Sequence, residues 1–68
     1  MSKFAERLKE LRIEKGLTRK EFANKVGVFT PAAVGLWEKG KRVPNFDVVI
    51  SIAQFFGVSI DYLAGLED

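Results

Sequence analysis

Apolar residues in this chain recur at intervals of three and four, and no segment alternates convincingly between apolar and polar positions. Phe4, Leu8 and Leu11 fall on one helical stripe with Ala5 beside them; Ser2 stands as a cap and Gly16 as the natural stop. Thr18 and Glu21 form a capping-box pattern, opening a second helix that turns Phe22, Ala23 and Val26 inward and ends at Gly27. Thr30 before Pro31 starts a third helix. The threonine supplies a cap oxygen, and proline at the first helical position gives up only an N–H that has no partner there. Val34 and Trp37 share the inner face of that helix, and Gly40 ends it. Asn45 opens a fourth, with Val49, Ile52, Ala53 and Phe56 on one face, Asp47 in the first turn and Gly57 behind. Ser59 starts a last short helix carrying Ile60 and Leu63 up to Gly65. The pattern predicts a compact all-α fold: residues 1–68 as a single domain, with helices near 3–15, 18–26, 31–39, 46–56 and 60–64.

Composition narrows the chemistry. The 68 residues hold 47% hydrophobic residues, enough for one small core, and contain no Cys and no His. Disulfides, thiolate or imidazole metal ligands and a nucleophile–His pair are therefore excluded, and neither a cofactor nor a small-molecule ligand is evident. The acids Asp61, Glu67 and Asp68 sit at or near the end of the chain with no partner base, so an enzyme is not expected. No apolar run approaches the length of a membrane helix and no signal-peptide pattern is present, so a soluble cytoplasmic protein is expected. The net charge of +2 hides a split. All 11 Lys and Arg lie within residues 3–42 against five acids, a net +6, whereas residues 43–68 carry four acids and no base. One end suits a polyanion and the other is turned away from it.

Two short helices across a Gly-marked turn, followed by a basic loop, form the layout of a helix-turn-helix. Nearly the whole chain resembles the single-domain Cro/repressor-type regulators of bacteria and their phages, the xenobiotic-response-element family. The residues that carry the resemblance are Arg7-Leu8-Lys9-Glu10-Leu11-Arg12, Gly16-Leu17-Thr18, Phe22-Ala23, Val26-Gly27-Val28, Trp37-Glu38-Lys39-Gly40-Lys41-Arg42, Pro44, Ile52-Ala53, Phe56-Gly57-Val58-Ser59 and Asp61-Tyr62-Leu63. The resemblance implies a DNA-binding domain whose third helix enters the major groove. It also implies an ion pair between Arg12 and Glu38 that ties the first helix to the end of the reading helix.

Three features depart from the family pattern. Val34 stands seven positions after the turn Gly27, where relatives have six, and the extra residue is most simply Phe29, expected to be exposed or only lightly packed. Arg19 replaces the Gln with which the family touches DNA at the start of the second helix. The positions from which the family reads bases hold Pro31, Ala32 and Leu36, which can touch a thymine methyl but cannot form the bidentate bonds that separate base pairs. Gly35, inside a short helix, has two readings: a small residue there lets relatives approach DNA closely, or the glycine is tolerated drift.

Phosphate contact needs no base-reading side chain. Arg19, Lys20, Lys39, Lys41 and Arg42 bracket the third helix, and backbone N–H groups near Thr18, Thr30 and Asn45 can add anion contacts. Trp37 and Phe22 are read as core, not as a stacking platform for single strands. Two function classes remain open. One is a sequence-specific regulator of double-stranded DNA, a repressor acting as a homodimer through Val58, Tyr62 and Leu66. The other is a protein-interaction module, natural or an engineered scaffold, whose reading face has become an apolar contact surface.

Overall fold

A computed structural model describes residues 3–67; Ser2, the expected first cap, and Asp68 lie outside the described residues. Five helices follow one another: α1 (Lys3–Glu14), α2 (Arg19–Val26), α3 (Pro31–Glu38), α4 (Phe46–Phe56) and α5 (Ile60–Ala64). No strand occurs among the described residues.

The helix starts are set by side chains within a single turn. Thr18, Thr30, Asn45 and Ser59 each hold an extended backbone, and each side-chain oxygen accepts an N–H three residues on. At α2 the box is complete: Glu21 N–H donates to Thr18 Oγ1 at 3.0 Å and Thr18 N–H donates to Glu21 Oε1 at 2.8 Å. The bonds at Thr18 hold the Glu21 carboxyl below the usual range. A carboxylate whose folded value is lowered stabilises the fold above its unfolded value, and that contribution disappears as pH falls through the folded value. Glu21→Gln should therefore be less stable than the parent at neutral pH and equal to it in strong acid, as read from chemical-denaturation midpoints. An unchanged gap at both pH values would contradict the assignment.

Each helix gives its apolar stripe to one core. Phe4, Ala5 and Leu8 come from α1, Phe22 and Ala23 from α2, Val34 and Trp37 from α3, Ile52 and Ala53 from α4, and Leu63 from α5. α3 packs on α1 and α2, α2 also touches α4, and α5 closes the assembly against α1 and α4. Ala23 is buried on α2, where a larger side chain would have to displace its neighbours.

The α2–α3 turn departs from expectation at Phe29. Its ring is half-buried, with its centroid 5.0 Å from Phe22 and 4.9 Å from Trp37, in an edge-on arrangement with the indole. Gly27 takes the left-handed conformation at φ 83° and closes α2 with its N–H on Ala23 O. The chain then swings so that Val28 is exposed and Phe29 points back to the aromatic cluster of Phe22, Phe55 and Phe56. A large ring gains more from removal from water than a turn loses by bending, so the exposed apolar residue here is the smaller one.

Candidate nucleic-acid interface

α3 is short and two-faced. Thr30 Oγ1 accepts the Ala33 N–H at 3.2 Å, and Pro31 occupies the first turn. Val34, Trp37 and Glu38 face inward, which leaves Pro31, Ala32 and Leu36 exposed together on the other side. Those three are the positions at which the resemblance puts base contact. Their chemistry is apolar, suited to shape and methyl contact.

Behind this face lies a charged cluster. Glu38 Oε2 accepts from Arg12 Nε at 2.6 Å, and Glu38 Oε1 accepts from Arg12 Nη2 at 3.0 Å, a bidentate pair between α1 and the end of α3. The side chains are 11% and 1% exposed. Arg12 Nη1 also donates to Leu17 O at 2.7 Å, which anchors the α1–α2 connection. The Glu38 hydrogen bonds hold the Arg12 guanidinium above its ordinary pKa, so it stays charged.

Arg19 joins the same carboxylate, its Nε donating to Glu38 Oε1 at 3.2 Å while the side chain remains 39% exposed. The sequence reading assigned Arg19 to phosphate alone and did not anticipate this third member. The signal was present as a second cation at the start of α2, but only the fold carries it across to the end of α3. Two guanidiniums around one carboxylate leave a net positive charge that emerges at Arg19.

Lys20, Lys39, Lys41 and Arg42 are exposed around α3, and Lys41 N–H donates to Leu36 O at 3.0 Å, which folds the basic loop back on the helix end. Asn45 caps α4 with its Oδ1 accepting the Val48 N–H at 3.0 Å. Capping uses an oxygen in both Thr30 and Asn45, so the hydroxyl hydrogen of one and the amide N–H groups of the other stay available as donors. Val43 and Phe46, 68% and 66% exposed beside this loop, were not singled out from sequence. Phe46 continues the stripe of α4 but sits at its first position, beyond the reach of the core.

At the opposite end the expected contact residues are divided. Val58 packs against the core, and Leu66 is 77% exposed. Tyr62 is half-buried, with the Arg7 guanidinium 4.2 Å above its ring. Arg7 Nη1 also donates to the Tyr62 carbonyl at 2.8 Å and to that of Glu67, so α1 holds the last turn of the chain. Among the described residues no acidic group cluster suits a metal ion, and no helix is long and apolar enough to cross a membrane.

The fold is that of the P22 c2 repressor protein, solved in complex with synthetic operator 9T: TM-score 0.85, 23% identity, 94% of this chain and 96% of that one. In sequence, the chain is 40% identical over 60 residues to the uncharacterized HTH-type transcriptional regulator YqaE of Bacillus subtilis, covering 88% of this chain and 51% of the relative. It is 38% identical over 65 residues to the HTH-type transcriptional activator BcrR of Enterococcus faecalis, covering 96% of this chain and 31% of the relative. The chain thus spans about half of the first of these curated relatives and about a third of the second. With the capped helix pair, the turn glycine and the core described above, the match extends over residues 8–63, and the chain belongs to the helix-turn-helix family HTH_3.

Proposed function

We propose that this domain binds double-stranded DNA, lays the exposed face of α3 in the major groove, and regulates transcription by occupying an operator as a homodimer, in the cytoplasm of a bacterium or as a phage-encoded repressor there. The observation that carries the reading is the placement of α3: its apolar outer face is framed by the cations Lys20, Lys39, Lys41 and Arg42, all exposed. Family membership supports it, as does the likeness in fold to a repressor protein solved with its operator.

Affinity in this reading comes from phosphate contacts by those four cations, Arg19 and the donors left on Thr30 and Asn45. Specificity comes from methyl contact at Pro31, Ala32 and Leu36 and from the shape of the duplex. Dimerisation uses the acidic end, where Leu66 is exposed and Val58 and Tyr62 border it, so two copies meet away from the polyanion and reach half-sites about one helical turn apart.

A gel-shift titration against a mixed-sequence duplex pool at two salt concentrations tests this. Five cations per domain predict a slope of log K on log salt of roughly −4 to −5 per domain, with two chains per bound duplex. Lys41→Gln and Arg42→Gln should each reduce the slope by about 1. Absence of binding at low salt would overturn the reading and favour a protein-interaction surface.

A further inference from the structure

Gly35 sits in the interior of an eight-residue helix, where glycine disfavours the helical state relative to alanine, and it ends no turn. The sequence reading explained it by close approach to DNA. The structure puts something else there. A Cβ on Gly35 would stand 3.5 Å from Arg19 Nη1 and 3.8 Å from Arg19 Cζ, so the guanidinium lies over α3 with room for a methyl group and no more. Gly35 is buried beneath it.

The same guanidinium continues to Glu38, one helical turn further along α3, where its Nε donates at 3.2 Å. The carboxylate also holds Arg12 through two bonds and is almost wholly buried, so it is a fixed anchor. Arg19 makes a single hydrogen bond among the described residues, and its side chain stays 39% exposed. A guanidinium has five N–H donors, and those not turned to Glu38 remain for an acceptor outside the protein.

We propose that Gly35 is a positioning residue: by keeping any branched or larger side chain off this point of α3 it lets Arg19 lie over the helix, held by Glu38 as a preset fork for a phosphate of the DNA backbone. This rests on the reading of the domain as a DNA binder and assigns it a specific phosphate clamp. Fixing a long side chain before binding removes much of the ordering cost that a free arginine or lysine would meet on contact. It also gives a physical reason for an arginine at the start of α2, because a guanidinium spreads its donors along a planar fork with one edge on Glu38 and the other facing out, whereas a lysine gathers its three donors at one point.

The test compares the parent with Gly35→Ala, Gly35→Val, Arg19→Gln and the double variant Arg19→Gln/Gly35→Val, titrated against a mixed-sequence duplex pool over a range of salt. Gly35→Ala should keep the parent's salt slope, because its methyl reaches only ordinary contact distance. Gly35→Val should displace Arg19, reduce the slope by about 1 and weaken binding about tenfold, as should Arg19→Gln. The double variant should bind no worse than either single one. Additive losses would mean that Gly35 acts at the groove by itself, and an unchanged slope for Arg19→Gln would mean that the arginine is only a structural tie; either overturns the proposal. Should Gly35→Val not fold, Arg19→Lys decides: several-fold weaker binding with the slope retained supports the fork, and parent-like affinity overturns it. If the parent itself fails to bind the pool, the DNA-binding reading falls with this one. If the parent binds and the variants match it, only the clamp falls.

Discussion

Arg12→Ala should cost this domain about 3–5 kcal/mol, the largest effect expected of any single surface-to-core polar change here. The loss exceeds the energy of one ion pair because Glu38 is 1% exposed and would keep only the 3.2 Å bond from Arg19. A carboxylate that cannot reach water is then left buried without its main partner, at high cost. Glu38→Ala should be milder. The Arg12 guanidinium left behind is 11% exposed and keeps the Leu17 carbonyl as an acceptor, and Arg19 can turn to solvent. Replacing both members by apolar groups of similar volume, as in Arg12→Met/Glu38→Leu, should recover most of the loss, since the cost lies in the orphaned charge. Denaturant midpoints for the two single variants and the double variant check the order. A midpoint for Arg12→Ala equal to that of the parent would show that the cluster contributes nothing to stability. A small domain has only about 5–15 kcal/mol in all, so this one change removes a large share of its stability.

Phe29→Ala should destabilise the fold by about 2–3 kcal/mol, somewhat below the range for a fully buried phenylalanine because the ring is half-buried. Two aromatic contacts are lost at once, with Phe22 at 5.0 Å and with Trp37 at 4.9 Å, and each such pair adds about 0.5–1.5 kcal/mol beyond area burial. Position in the turn alone predicts the opposite, a ring that is exposed or only lightly packed. The backbone instead exposes Val28 and turns Phe29 in. Trp37 supplies the readout, because opening the cluster should shift its fluorescence to the red in the folded variant. Unchanged stability together with unchanged emission would return Phe29 to the surface.

What could be read from the chain follows from the range of the interactions involved. Thr18, Thr30, Asn45 and Ser59 each bond an N–H three residues away, so their spelling alone marks where helices begin. The stripes of α1 and α4 repeat within seven residues, so Leu8, Ile52 and Ala53 are identifiable as core without any knowledge of what they touch. Arg12 with Glu38 lay further out: 26 residues separate them, and only the matching words of a known family suggested that they meet.

Whatever depends on how one helix lies on another escaped the sequence. Arg19 reaches Glu38 because α2 packs on α3 and brings the guanidinium over Gly35. Phe29 finds Trp37 because the turn bends toward a cluster built by three other segments. Arg7 covers Tyr62 because α5 docks on α1. By itself, then, the sequence determined five helices, the caps of four of them, their inward faces and a basic first part of the chain followed by an acidic remainder, since caps, periodicity and charge counts are local properties of the chain. Tertiary structure alone decided which cations remain free for a phosphate, which aromatic closes the turn and which residues are left exposed, because burial and partnership arise only when segments distant along the chain compete for the same small core.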